Sequence, residues 1–313
     1  MSQYPIILIP GEIQRVKSAK PPEPIFTEPL PQQPGVEPQK LNTTVIAVEA
    51  TVATVPSVAI VSQGGTVPGF LLFLAAAGAI AGHAWHQITT YPQRKQKHDR
   101  EVVTYPKKVE IYEKKKRQHY EEVKATQSPE RVAEFRYKLL LEVLSQTVPH
   151  DGNGSGARRG QAETLFGNHL NRYFPGKIHK GLTLKIPDFE HPYTPDFAYI
   201  EEGLNLHIDI EIDEPYVYRT GSPTHFAGAW KDSKRNNFFT NKGWIVIRFS
   251  EEQIVRWPQS CCKAIAQIIA QVTEDNSILN QFASFPELQP MKQWTEFEAT
   301  QMATSSYRNK YCK

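Results

Sequence analysis

Residues 195–213 read PDFAYIEEGLNLHIDIEID, and this stretch decides the fold of the chain. In its last part, apolar residues alternate strictly with polar ones. Period two is typical of a β-strand, so the apolar residues are expected to face a core while the polar side chains share the opposite face. The apolar set is Ile208, Ile210 and Ile212, and the polar set is His207, Asp209, Glu211 and Asp213.

The spacing of these carboxylates points to a bound cation. Carboxylates two positions apart on a strand lie roughly 7 Å from each other. If both are charged, they repel by about 2 kcal/mol at an effective dielectric constant near 20. Water or salt could relieve this repulsion, and so could a divalent cation, since Mg²⁺ typically takes one or two protein carboxylates with phosphate oxygens and waters. Asp196 precedes a second predicted strand (197–200), and a short turn at 201–203 would bring it beside Glu211. The hairpin therefore predicts a metal site.

The sequence around the hairpin predicts an α/β domain at 128–274, with a mixed central sheet flanked by helices. Ser128-Pro129 is a helix start, with serine as N-cap and proline at the first helical position. The further elements expected in order are a helix at 161–173, strands around 182–186, 197–200 and 206–213, a helix at about 226–242 that ends at Gly243, a buried strand at 244–249, and an amphipathic helix at 259–273. Residues 275–313 are expected to add peripheral helices.

The first 127 residues differ in composition. Residues 1–66 are rich in proline and are expected to be disordered, extended, polyproline-like and largely unpacked, as a spacer or as a proline-motif ligand. Residues 67–85 contain no Asp, Glu, Lys or Arg, so a transmembrane helix is expected at 67–88; a buried Ala/Gly-rich helix is the alternative. Basic residues follow this run, which would place the C-terminal domain in the cytoplasm of a single-pass membrane protein, with a soluble cytoplasmic protein as the alternative. Residues 89–127 read as a basic helical linker that contacts lipid headgroups or nucleic acid, or is simply solvated.

Charge and cysteine content limit the classes of protein. The 313-residue chain has a net charge of only +3, so it is not a polycation, and residues 126–313 carry about −1, which argues against a uniformly basic nucleic-acid-binding surface in that part. Cys261, Cys262 and Cys312 lack the spacing of a zinc site and fit a reducing compartment. The glycine-rich loop at 150–160 is not a phosphate-binding P-loop, because no GK[ST] follows at the required spacing.

Several of these residues together resemble a known nuclease family. Asp196 follows a proline, and Glu211-x-Asp213 lies on the next predicted strand. An Asp232-x-x-Arg235 pair and the apolar strand GWIVIRF come after them. In this order, the motifs resemble the PD-(D/E)XK nuclease superfamily, and in particular its very-short-patch-repair-type endonuclease branch, over about residues 158–272.

The resemblance implies a restriction-endonuclease-like fold and a Mg²⁺-dependent (or Mn²⁺-dependent) endonuclease, with DNA favoured over RNA as the nucleic acid. Asp196 and Glu211 would be metal ligands, Asp213 a further ligand or a group that orients water, and Glu163 an accessory acid. Many relatives carry a lysine where this chain has Asp213. The resemblance therefore implies that residues of the following helix supply the positive charge. On that helix, Lys234 is assigned as a catalytic residue, and Lys231 and Arg235 are assigned as nucleic-acid contacts.

Three functions remain open from the sequence. The first is a nuclease tethered to the cytoplasmic face of a membrane. The second is an inactive module of the same fold that binds nucleic acid or a protein partner there, and the third is a structural anchor. His207 or His225 could transfer a proton, although a lone histidine is more often simply hydrogen-bonded. Trp230, Phe238 and Trp244 are expected in the core, with base stacking as the alternative.

Overall fold

The computed structural model describes residues 2–42, 66–154, 161–187 and 189–312. Residues 43–65 of the expected proline-rich segment and residues 155–160 of the glycine-rich loop lie outside the described part. The chain forms two compact units, one made of Met1–Pro22 with Gln127–Lys313 and the other of Glu23–Thr126.

The larger unit contains a five-stranded mixed sheet, which confirms the predicted α/β class. Its strand order is β2-β6-β5-β4-β3, in which β5 and β6 are parallel and the other pairs antiparallel. A separate two-stranded sheet pairs β1 with β7. The strands are β1 (Gln3–Tyr4), β2 (Ile6–Leu8), β3 (Ile178–His179), β4 (Phe197–Glu201), β5 (Leu206–Asp213), β6 (Ile245–Ser250) and β7 (Met291–Lys292).

The helices predicted at 161–173, at about 226–242 and at 259–273 are all present in the larger unit. The helices of the described residues are α1 (Gly11–Ser18), α2 (Thr66–Thr126), α3 (Pro129–Ser145), α4 (Gln161–Tyr173), α5 (Trp230–Asn241), α6 (Glu251–Arg256), α7 (Pro258–Thr273) and α8 (Glu296–Thr304), of which α2 belongs to the smaller unit, with 3₁₀ turns at Glu202–Leu204, Ser277–Phe282 and Tyr307–Lys310. Ser128 is the N-cap of α3, where its side chain accepts a hydrogen bond from the backbone N–H of Arg131. Gly243 follows α5 at φ +84°, a conformation that favours glycine.

The period-two pattern of β5 separates the core from the polar face as predicted. Ile208, Ile210 and Ile212 are all buried in the main core, together with residues of α4 and α7 such as Phe166 and Ile265. The alternating acidic residues therefore face the other side of the sheet, where α5 lies. The same alternation along β6 places Arg248 opposite Glu211 on that polar side.

The N-terminal residues are folded, so the expectation of an unpacked arm that begins at residue 1 is wrong. Strand β2 pairs antiparallel with β6, with Ile7 opposite Ile247, and forms an edge of the sheet. Helix α1 buries Ile13 and Val16 in the main core. A short Pro-flanked apolar run, YPIILIP, thus supplies a strand, because β6 offers it an unpaired edge.

In the smaller unit, the proline-rich residues 23–42 lie along α2. Lys115 contacts Glu28 at 2.7 Å, and Lys95 pairs with Glu37. The two glutamates are nine positions apart, which spans about 28 Å at the polyproline rise of roughly 3.1 Å. The two lysines are twenty positions apart, which spans about 30 Å of α-helix, so the two spacings match. The predicted extended form fits this geometry, whereas the expectation that the segment is unpacked is wrong for the described part.

The expected transmembrane helix at 67–88 is not supported. Among the helices of the described residues, α2 included, none is both long enough and apolar enough to cross a membrane.

Candidate active site

Asp196 and Glu211 lie opposite each other on neighbouring strands, as the hairpin prediction requires. The register pairs Phe197 with Ile210, so the residues one step further out, Asp196 and Glu211, are cross-strand neighbours. The backbone N–H of Asp196 donates to Glu211 Oε1 at 3.2 Å. The backbone N–H of Ile212 donates to Asp196 Oδ2 at 2.8 Å. These two bonds fix both carboxylates against the backbone of the other strand.

Two further acids lie close to this pair. Asp209 is fully buried, two positions before Glu211 on the same face of β5. Glu163, in the first turn of α4, is near enough for its charge to raise the pKa of Asp196. We call Glu163, Asp196, Asp209 and Glu211 the acidic cluster. Three of its members, Glu163, Asp196 and Glu211, are predicted as site residues from the sequence. The fourth, Asp209, is not, because the alternation along β5 does not show that its side chain is buried.

Arg235 on α5 is the cation that faces the acidic cluster. Its guanidinium pairs with Glu211 and lies 3.5 Å from Asp209 Oδ1. It also donates to the carbonyl of Thr194 at 3.0 Å. Of the three basic residues that the sequence offered as a source of positive charge, the structure brings this one to the carboxylates. The two residues of the Asp232-x-x-Arg235 motif bind different partners, since Arg235 pairs with Glu211 while Asp232 contacts His225 and Arg248.

The carboxyl groups of the acidic cluster differ in how strongly burial and nearby charge oppose their ionisation. Burial, together with the charge of Glu211, raises the pKa of both Asp196 and Asp209 well above its usual value. Burial opposes ionisation of Glu211 as well, but Arg235 and Arg248 reverse this effect and lower the pKa of Glu211. The buried oxygen Asp209 Oδ2 has no hydrogen-bond partner. The two arginines therefore favour the charged form of Glu211, whereas the ionised forms of Asp196 and Asp209 are poorly compensated.

Asp213 does not join the acidic cluster, which corrects its predicted role as a metal ligand. Arg248, itself buried, binds both Asp213 oxygens, with Nε–Oδ2 at 3.0 Å and Nη2–Oδ1 at 2.6 Å. The hydroxyl of Tyr4 donates to Asp213 Oδ2 at 3.0 Å. Both oxygens are thus engaged in a separate network, and the N-terminal strand supplies one of its donors.

His225 and Asp232 complete this second network. His225 Nδ1 lies 3.0 Å from Asp232 Oδ1 and 3.5 Å from Asp213 Oδ1. Although burial alone would lower it, the Asp213 and Asp232 carboxylates raise the pKa of His225 to about 9. The raised pKa favours the charged form of His225 at neutral pH, in which it would balance the two carboxylates together with Arg248. We call Tyr4, Asp213, His225, Asp232 and Arg248 the buried ion network.

The other predicted residues lie away from the acidic cluster. Lys231 and Lys234 are exposed on α5, and the Lys234 ammonium lies 5.4 Å from the centre of the Phe189 ring. His207 is buried against Trp244, at a ring distance of 4.7 Å, and burial lowers its pKa. Trp244 is in the core as predicted, but Trp230 is 67% exposed, so the expectation that Trp230 is a core residue is wrong.

The carboxylates of the hairpin fit a divalent cation in part. Within the described residues, no three His, Cys, Asp or Glu side chains converge as a ready metal-binding group. However, Mg²⁺ usually takes only one or two protein carboxylates and completes its shell with water and phosphate. The hydrogen bonds given above use Asp196 Oδ2 and Glu211 Oε1. A cation bound by the remaining oxygen of each side chain would offset the negative charge that Arg235 leaves uncompensated.

Comparison with known proteins adds no family assignment. No protein-family model matches the chain, and neither a curated protein nor a solved structure matches it.

Proposed function

We propose that the larger unit is a divalent-cation-dependent phosphodiester hydrolase that acts on nucleic acid. The observation that carries this proposal is the cross-strand pair Asp196–Glu211, held by reciprocal backbone hydrogen bonds inside an acidic cluster that pairs with Arg235. The sequence resemblance to PD-(D/E)XK nucleases supports it, since that resemblance assigns metal binding to the same two residues.

Each residue has a distinct part in this proposal. Asp196 and Glu211 hold Mg²⁺ or Mn²⁺, and Asp209 and Glu163 add negative charge that favours a cation at this position. When bound, such an ion lowers the pKa of a coordinated water and shields the charge that develops on a phosphate under attack. Arg235, next to Glu211, is placed to contact a non-bridging phosphate oxygen. It thereby takes the part that Lys234 was expected to have.

A second function is favoured by a different observation. Asp213, which stands where many PD-(D/E)XK relatives carry a lysine, is neutralised by Arg248 inside the buried ion network. A chain that lacks this lysine and pairs Glu211 with Arg235 could keep the fold and bind nucleic acid or a protein without turnover. A divalent cation distinguishes the two functions, because the hydrolase needs it to cleave nucleic acid whereas the inactive module binds without it.

The test is a cleavage assay with the full chain. Labelled DNA and RNA, each single-stranded and duplex, are incubated with the protein in Mg²⁺, Mn²⁺ or EDTA. We expect cleavage only with the cation, and a loss on the order of 100-fold or more in Asp196→Asn and Glu211→Gln, the size that follows removal of one group stabilising transition-state charge. Glu202→Gln is the matched control, since Glu202 is exposed on the turn of the same hairpin.

The outcomes separate the candidates. Equal cleavage by the wild type and both site variants would identify a contaminating nuclease and end the hydrolase proposal. Binding without cleavage, unchanged by EDTA, would favour the inactive module.

A further inference from the structure

An open groove is linked to the acidic cluster through Arg235, which lines the groove and pairs with Glu211. Its volume is about 750 Å³, within the range of roughly 300–1,000 Å³ typical of ligand sites. Arg235, which pairs with Glu211, forms part of its wall, and so do His225 and Asp232 of the buried ion network. A ligand in the groove would therefore reach the guanidinium that touches the proposed catalytic pair.

The groove exposes two large aromatic side chains. Trp230 is 67% exposed and Phe189 is 63% exposed, and both line the groove. Tyr193, also in the lining, is half-buried and has Arg235 stacked on its ring at 5.3 Å. Most of the surface of the Trp230 and Phe189 side chains is thus open to a ligand, with Tyr193 and Arg235 also in the lining. We call this surface the aromatic groove.

The aromatic groove also carries two lysines that are not committed to carboxylates. Lys231 and Lys234 line it, and the ammonium of Lys234 lies over the ring of Phe189. In the part of the chain that the structure describes, neither lysine forms an ion pair, in contrast to Arg235. Exposed rings next to uncommitted ammonium groups suit a ligand that offers both flat apolar faces and negative charge.

We propose that the aromatic groove binds an unpaired stretch of nucleic acid. Bases stack on Trp230 and Phe189, while Lys231 and Lys234 contact the phosphates. In a duplex, neighbouring base pairs cover the faces of each base, so exposed aromatic rings bind unpaired bases in preference to paired ones. This inference rests on the proposed function and narrows it, because it makes single-stranded or locally unpaired nucleic acid the preferred substrate class.

The groove favours nucleic acid over an apolar peptide by its charge. Its open rings are bordered by lysines, and Asp232, the one carboxylate among the described residues that line it, is paired with His225 and Arg248. The surface that remains for a ligand is therefore aromatic and positive, which complements a polyanion with planar bases.

Binding is tested with the full chain in EDTA, where cleavage cannot occur. Fluorescence anisotropy measures the affinity for labelled single-stranded DNA, single-stranded RNA and the matched DNA duplex. We expect a single strand to bind more tightly than the duplex. Trp230→Ala and Phe189→Ala should each weaken single-strand binding by roughly 5- to 150-fold, which corresponds to about 1–3 kcal/mol for one stacked base.

Two controls separate stacking from general effects. Phe297→Ala removes a ring of similar exposure (72%) on α8, outside the groove, and should leave affinity unchanged. The double variant Lys231→Gln/Lys234→Gln should reduce the salt dependence of single-strand binding by about 1.4 in the slope of log K against log salt, for about 0.7 per phosphate contact. Because all these side chains are exposed, the thermal unfolding midpoints of the variants should stay close to that of the wild type.

Several results would overturn the inference. They are equal affinity of Trp230→Ala, Phe189→Ala and Phe297→Ala for a single strand, a duplex that binds as tightly as a single strand, and no binding of any oligonucleotide at 50 mM salt, which would point to a peptide ligand. Failure of the hydrolase proposal looks different, since an inactive protein would still show the ring-dependent binding in EDTA.

Discussion

Replacing Arg235 with methionine tests how strongly the acidic cluster depends on its cation. Arg235 is 12% exposed at its side chain and pairs with Glu211 and with Asp209. Methionine keeps an apolar stem against Tyr193 and Phe239, which the guanidinium covers at 5.3 and 4.8 Å, but removes the charge. Breaking a buried ion pair by removing one partner costs about 3–5 kcal/mol. With a urea m-value of about 2 kcal/mol/M, the unfolding midpoint should fall by roughly 2 M.

The pH dependence of this loss identifies its cause. In the wild type, Arg235 helps to lower the pKa of Glu211 against the effect of burial. The charged Glu211 therefore contributes stability above its unfolded pKa of about 4.3, and this is lost as pH falls through the lower folded value. In Arg235→Met, burial dominates and raises the pKa, so the charged side chain is destabilising at neutral pH. The stability gap should be full at pH 7.5 and shrink as pH approaches 4.3.

A surface ion pair serves as the matched control. Arg131 is 68% exposed at its side chain and contacts Glu134, which is 48% exposed, at 3.2 Å, so Arg131→Met should cost only about 0–1 kcal/mol. Urea unfolding followed by circular dichroism at pH 7.5 and pH 5 measures both variants. A loss in Arg235→Met no larger than that in Arg131→Met, or a gap that does not change with pH, would refute the electrostatic reasoning.

Further predictions concern the buried ion network and the N-terminal strand. Arg248→Met should lower the free energy of unfolding in urea by about 3–5 kcal/mol, because Asp213 loses both hydrogen bonds from the guanidinium. Tyr4→Phe should lower it by only about 1–3 kcal/mol, because it removes one hydrogen bond to a charged group. Equal losses in the two variants would contradict the assigned geometry. The pKa of His225 is raised to about 9 in the folded protein, so its charged form contributes stability. This contribution is fully present below the unfolded pKa of about 6.5 and is lost as pH rises through 9. His225→Gln should therefore be less stable than the wild type at about pH 6.5 and close to it at about pH 10. Deletion of residues 1–18 should unfold the larger unit, since it removes Tyr4, an edge strand and two core residues of α1; a cooperative thermal transition at the wild-type midpoint would show that this segment is dispensable.

The parts of the fold that the sequence predicted are those with local signals. The alternation at 206–213 identifies a strand, Ser128-Pro129 marks the start of α3, and Gly243 marks the end of α5, because each depends on residues within a few positions. The cross-strand approach of Asp196 and Glu211 was also accessible, since a short turn between two strands restricts their register.

The parts that the sequence missed depend on distant pairings. Strand β2 is only three residues long, and its partner β6 lies more than two hundred positions away. The engagement of Asp213 by Arg248 requires the parallel register of β5 and β6, which alternation within one strand cannot give. Likewise, the direction in which Trp230 points depends on how α5 lies on the sheet.

A crystal structure of the protein soaked in Mn²⁺ tests the central claim most directly. The claim is that Asp196 and Glu211 share a divalent cation. It predicts one anomalous-scattering peak within coordination distance of an oxygen of each carboxylate, and the loss of that peak in crystals of Glu211→Gln. Saturating Mn²⁺ with no peak between these side chains, and Arg235 still paired with Glu211, would contradict it.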